Sequence, residues 1–276
     1  MPEGVRPYPR WDGPLATGPR IGVVALDVVN RLRKTMWGQV AILIVLFPLV
    51  LSLSQTFSDD SDTHTMTSFV ELLNNTRWGV LVVAAVMGAP TLLTDMRSGA
   101  LDLYLSRSVR VTDYLVGKVV AVFSLCTAAM FIPGMIYMAV AAFRYDKHPD
   151  GWATAIFGAL LYAVLLALMV SGLALGLSGL ARNARAATLI LGGGFVVLDL
   201  VVSNLLENIT NDPNLQILSP FAAFQQQSEW IFPDVQSGAE FPLWWGLLEV
   251  ISLTILGWIL LAWRRPRVRG DEPVGA

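Results

Sequence analysis

Charge is what this 276-residue chain has least of. Asp, Glu, Lys and Arg make up 14% of it, hydrophobic residues 54%, and the mean hydropathy is +0.58. A soluble domain carries about 25% charged residues, so an ordinary solvated globule is excluded. Cysteine is almost absent: Cys126 is the only one, it cannot pair within the chain, and no disulfide framework exists. It lies inside an apolar block and reads as a small buried residue. Histidine is equally scarce. His64 and His148 have no cysteine near them, which argues against a zinc site or a His-based nucleophilic centre. No phosphate-binding loop of the form GxxxxGK[ST] occurs: Gly117-Lys118 is followed by Val119, and Thr112 stands where the first glycine would be. The chain is therefore not expected to be an enzyme or to hold a cofactor. Its net charge of −2 says nothing about partners, and nucleic acid is not expected among them.

What is present is six long apolar blocks. Thr35–Ser58, Trp78–Thr94, Val119–Phe143 and Gly151–Ala181 carry no charge; Ala186–Leu206 and Leu243–Trp263 carry one acid each. About 20 apolar residues span the hydrocarbon core as a helix. The expected fold is all-α: a polytopic integral membrane protein of six transmembrane helices. With the N-terminus in the cytoplasm, sixteen of the 19 basic residues fall on the inner side, and only Arg77, Arg144 and Lys147 fall outside. Basic residues near crossing ends favour the cytoplasm, so both termini are expected inside, in the cell inner membrane. Eleven acids lie in the outer segments, from Asp59 to Glu240. They either attract cations to the outer mouth or are what remains when bases are partitioned inward.

The expected organisation is a disordered cytoplasmic tail over 1–20, an amphipathic helix over 21–36, a transmembrane domain over 37–263 and a basic cytoplasmic tail over 264–276. In the amphipathic stretch, Ile21, Val24, Ala25, Val28, Val29, Leu32 and Met36 share one helical face. Asp27 and Arg31 sit four apart and can pair. The helix either lies in the inner interface with its bases toward lipid phosphates or extends the first crossing into the cytosol. The inner loop 95–118 holds a short apolar stripe, Leu101, Tyr104 and Leu105, among Arg97, Asp102, Arg107 and Arg110. It is either a short surface helix with a break, in which Thr112 caps and Asp113 opens the next helix, or an ordinary connection. Gly172, Gly176 and Gly179 suit close helix approach, and Gly192-Gly193-Gly194 marks a tight interface or a flexible point. The outer segment 207–242 has two apolar pieces, Leu215–Phe224 and Trp230–Phe232, too short to span and divided by prolines. They read as short re-entrant helices that dip into the outer leaflet or cap the mouth.

Two acids lie inside crossings. At 1.5 Å per residue Asp199 is roughly 20 Å from the inner end of its helix and Glu249 about 9 Å from the outer end of its own. Each costs about 2.5 kcal/mol or more to place against lipid, so each is expected to face protein or water. Both are candidate residues of a translocation path; the other reading is a hydrogen bond between packed helices, which suits Glu249 better.

The run Asp95, Arg97, Gly99, Ala100, Leu101, Asp102, Leu105, Ser106, Arg110, Tyr114, Leu115, Gly117, Lys118 resembles the inner loop of permease subunits of type 2 (ABC-2) ATP-binding cassette transporters. Ser108 and Ala100 stand where that family usually has Pro and Thr; neither change removes a charge. Leu218-Ser219-Pro220-Phe221 resembles a second family feature, before the last crossing. The resemblance implies a permease that forms the path while a separate ABC ATPase subunit binds ATP and Mg. It also implies a second permease copy or paralogue, membrane lipid around the complex, and export as the usual direction. The ATPase-coupling residues it implies are Asp95, Arg97, Gly99, Leu101, Asp102, Tyr104, Leu105, Arg107 and Arg110. Two other classes stay open: a secondary transporter or channel coupled through Asp199, and a membrane anchor recruiting a soluble protein through 95–118.

Overall fold

A computed structural model of the chain describes residues 20–58, 65–98, 111–145, 152–181, 183–201, 219–232 and 243–263. Every element among the described residues is helical. They are α1 (Arg20–Lys34), α2 (Met36–Ser58), α3 (Thr65–Val83), α4 (Thr91–Arg97), α5 (Val111–Tyr145), α6 (Trp152–Leu180), α7 (Ala184–Leu200), α8 (Pro220–Ile231) and α9 (Leu243–Trp263). A π-helical turn, Ala84–Gly88, joins α3 to α4. Five stretches are long and apolar enough to cross a membrane: Met36–Phe57, Met66–Arg97, Thr112–Phe143, Ala153–Leu180 and Trp244–Trp263. The remaining expected crossing, Ala186–Leu206, is helical as far as Leu200, and its end lies outside the described residues. The tails 1–19 and 264–276, residues 99–110 of the inner loop and much of 207–242 lie outside them too.

The surface is apolar because its solvent is lipid. Leu43, Phe47 and Val50 on α2, Leu189 and Val197 on α7, and Ile251, Ile255 and Ile259 on α9 are all exposed large hydrophobics. Hydrocarbon tails solvate such faces, while helices satisfy their own backbone groups, which is why helices can span. The core lies where α3, α5 and α6 meet, around Leu72, Leu81, Met130, Leu166 and Val170.

The amphipathic stretch forms α1 as expected, and α1 and α2 part at Thr35, whose hydroxyl accepts from Gly38 N at 3.2 Å. Its apolar face is inside the protein: Val24 and Val28 are buried, and α1 packs along α5. Arg31 is paired with Asp27 and Asp95. Expected crossing ends also shift. The second helix begins at Thr65 rather than at the start of the apolar block, Trp78, so Arg77 is helical. Hydropathy hides this start because Glu71, Asn74, Asn75 and Arg77 interrupt it; packing against α2, α5 and α8 supplies what lipid would not.

Packing of α6 on α9 depends on missing side chains. A Cβ built on Gly257 would lie 2.5 Å from Gly172 C and Leu173 N, and one on Gly176 would lie 2.6 Å from Gly257 O. The expected close approach at Gly172 and Gly176 is thus real, and its partner is a glycine of the last helix. Gly192-Gly193-Gly194 makes no such seam: nothing lies within 4 Å of a Cβ on Gly193 or Gly194.

Candidate functional site

The expected coupling loop is tied down at both ends. Asp95, in the last turn of α4, and Lys118, two turns into α5, are each 0% exposed, and Lys118 Nζ lies 2.8 Å from Asp95 Oδ2. Arg31 of α1 pairs with Asp95 Oδ1 at 3.0 Å and with Asp27 at 2.9 Å, and Lys118 reaches Asp27 at 3.7 Å. The Tyr114 hydroxyl donates to Asp95 Oδ2 at 2.8 Å, and its ring lies 5.6 Å from Lys118 Nζ. Two acids and two bases balance, the condition under which a desolvated ion cluster is tolerable. Burial works against the Arg31 charge, but Asp95 and Asp27 together outweigh it and raise its pKa above the ordinary arginine value. The cluster joins α1, α4 and α5, and it brackets residues 99–110.

Asp95, expected among the coupling residues, is buried, its carboxylate held by Arg31, Lys118 and Tyr114. Arg97 is exposed; two residues along a helix turn a side chain by about 200°, onto the other face. Gly99, Leu101, Asp102, Tyr104, Leu105, Arg107 and Arg110 lie outside the described residues. The sequence did hold a signal for the cluster: opposite charges, Asp95 and Lys118, stand at the two ends of one loop.

A second set of polar groups gathers around α8. The two apolar pieces expected as separate helices contribute to this one. Pro220 opens it instead of dividing it, because a proline in the first turn loses no helical hydrogen bond. Ser219 caps its start, accepting from Ala222 N at 3.2 Å, and its hydroxyl donates to Asp199 Oδ1 of α7. From α3, Arg77 Nη1 donates to Phe221 O at 2.7 Å, and Trp78 meets the Phe221 ring edge-on at 4.3 Å. Gly246 of α9 lies against Gln226 and Gln227, and Gly158 of α6 against Ile231 and Phe232. So α8 is seated in the end of the bundle remote from the ion cluster.

Asp199 and Glu249 are therefore placed on different neighbours of α8. Asp199 holds the cap at its start. Glu249 is one turn past Gly246 and keeps Oε2 buried with no hydrogen-bond partner among the described residues. Ser219→Ala removes the cap and is expected to destabilise the chain by about 1 kcal/mol. Asp199→Asn retains the accepting oxygen and should shift thermal unfolding in detergent by less than that. A larger loss for the Asn variant than for Ser219→Ala would show that the charge of Asp199, not its hydrogen bond, holds the seat.

No curated protein matches the chain. The family model described as ABC-2 family transporter protein matches residues 23–263, from the first turn of α1 to the last residue of α9. The match takes in the ion cluster, the loop it brackets and the seat of α8. The chain therefore belongs to the ABC-2 transporter family, as a membrane-spanning component of a transporter.

Proposed function

We propose that this chain is the permease subunit of an ATP-driven exporter, forming the path and coupling through residues 99–110 to a separate ABC ATPase subunit. The observation that carries this reading is the Asp95–Lys118 ion pair, with both side chains 0% exposed and 2.8 Å apart. A loop that must pass force into a bundle needs ends that do not slip, and this pair links the two ends through buried opposite charges. Arg31 carries the same connection to α1. The loop itself is rich in groups suited to docking, with Asp102, Arg107 and Arg110 available for complementary charges and Leu101, Tyr104 and Leu105 for an apolar groove. Family membership supports an ATPase partner. The skew of basic residues supports a cytoplasmic loop and cytoplasmic termini, with α8 then at the outer mouth, where it acts as a cap on the exit. Two permeases with two ATPases complete the assembly in this reading.

The test is co-purification with a phosphate-loop ATPase encoded beside this chain. Arg97→Glu and Asp102→Arg should each weaken retention of the ATPase by about tenfold, the scale of one lost interfacial charge pair, and lower coupled ATP turnover. The permease should remain inserted and folded, because Arg97 is exposed. Normal ATPase retention and transport by both variants would remove the loop from the coupling role.

A further inference from the structure

Arg77 is a half-buried positive charge at the α8 end of the bundle, bound among the described residues only to neutral groups. It lies twelve residues beyond Thr65, so about 18 Å along α3 at 1.5 Å per residue, and inside the span Met66–Arg97. Nη1 donates to Phe221 O at 2.7 Å and Nη2 to Gln225 Oε1 at 3.5 Å, while the guanidinium carbon lies 5.1 Å from the centre of the Phe221 ring. Beside it the Tyr162 hydroxyl donates to Asn74 Oδ1 at 2.8 Å. Among the described residues no carboxylate pairs with Arg77, and its Nε is buried with no hydrogen-bond partner. A charged side chain in a membrane-spanning bundle ordinarily faces a counter-charge, water or a pathway. Guanidinium is the group best shaped to take a two-oxygen anion.

We propose that Arg77 is the receptor for the oxyanion head, carboxylate or phosphate, of an amphiphile. The apolar part of such a ligand has exposed apolar surface on α6, the helix that also carries Tyr162: Phe157 and Leu161 are both exposed. The ligand is either a free amphiphile on its way through the bundle or a phospholipid of the surrounding leaflet, with the same oxyanion chemistry in both cases. As a statement about cargo the proposal rests on the permease reading, but its test requires no ATPase.

The full chain in neutral detergent is titrated with decanoate, decyl phosphate and decanol, with binding followed by thermal unfolding. The two anions should bind at least about tenfold more tightly than the alcohol, the contribution of one charge-assisted pair. Arg77→Gln should abolish that preference. Asn74→Asp should abolish it too while keeping the fold, because it preserves size and the acceptor for Tyr162 but supplies a carboxylate next to the guanidinium. Transfer to nanodiscs separates the sources. If phosphatidylglycerol added to phosphatidylcholine discs blocks decyl phosphate, the site takes lipid; if it does not, the site takes free amphiphiles. Equal affinity of the wild-type chain for decanoate and decanol would overturn the proposal and leave Arg77 as a latch on α8, and so would an unchanged anion preference in Asn74→Asp. Anion preference in a chain that retains no ATPase would instead overturn the permease reading and leave the site standing.

Discussion

Asp95→Asn is expected to destabilise the folded chain by about 3–5 kcal/mol, the scale of a buried pair that has lost one member. The reason is what remains. Lys118 would keep its ammonium at 0% exposure with Asp27, 3.7 Å away, as its nearest remaining carboxylate. Lys118→Met should cost less, because Asp95 retains Arg31 at 3.0 Å and the Tyr114 hydroxyl at 2.8 Å. The double variant should cost far less than the two single losses combined, since it leaves Asp27 and Arg31 as a balanced pair at 2.9 Å. Residues in one network couple by about 0.5–3 kcal/mol. Denaturant unfolding in detergent for the four members of this cycle measures the term directly. Additive losses would show that the four charges do not act as a unit. The folded double variant also separates holding from coupling: with the ends of 99–110 no longer joined by charge, ATP-driven transport should fall although the chain still folds.

Gly257→Ala is expected to part α9 from α6. The added methyl would meet Gly172 C and Leu173 N at 2.5 Å and Gly172 O at 2.9 Å, all backbone atoms, which cannot turn aside as a side chain can. An overpacked core costs about 1–3 kcal/mol where side chains can adjust; here the helices themselves must move. Much of α9 is otherwise exposed to lipid, with α8 its other support, so lost folded protein is the expected result. Gly193→Ala is the matched control. Its Cβ would meet nothing within 4 Å, and alanine favours a helix by about 1 kcal/mol over glycine, so this variant should be as stable as wild type or more so. Thermal unfolding of the two side by side decides the point. A Gly257→Ala chain as stable as Gly193→Ala would mean that α9 does not rely on this seam.

These two sites differ in how far they could be read without a structure. Gly172 and Gly176 at helical spacing announce a close approach, but not toward which helix, because one helix's stripe carries no address. Asp27 and Arg31, four apart on α1, announce their pair by spacing alone, and the pair is present. That they join Asp95 and Lys118 could not be read, since α1 meets those residues only through packing on α5. The start of the second helix was hidden for a related reason. Its polar residues Asn74, Asn75 and Arg77 break the apolar run, and packing against α2, α5 and α8 makes a helix at that point tolerable.

By itself the sequence determined that this is an all-α membrane protein of the ABC-2 kind, where most of its crossings lie, and which loop is charged like a docking element. Those properties are local: a run of apolar residues must be helical in lipid because no other backbone partner exists there, and a motif is contiguous by definition. Tertiary structure alone decided that Asp95 is buried, that parts of two apolar pieces share the single helix α8, that Arg77 bonds to α8 and that Gly257 is the partner of Gly172 and Gly176. Each of these depends on which helix face meets which. That choice is made by side-chain volumes and charges brought together from distant parts of the chain, where no sequence spacing records it.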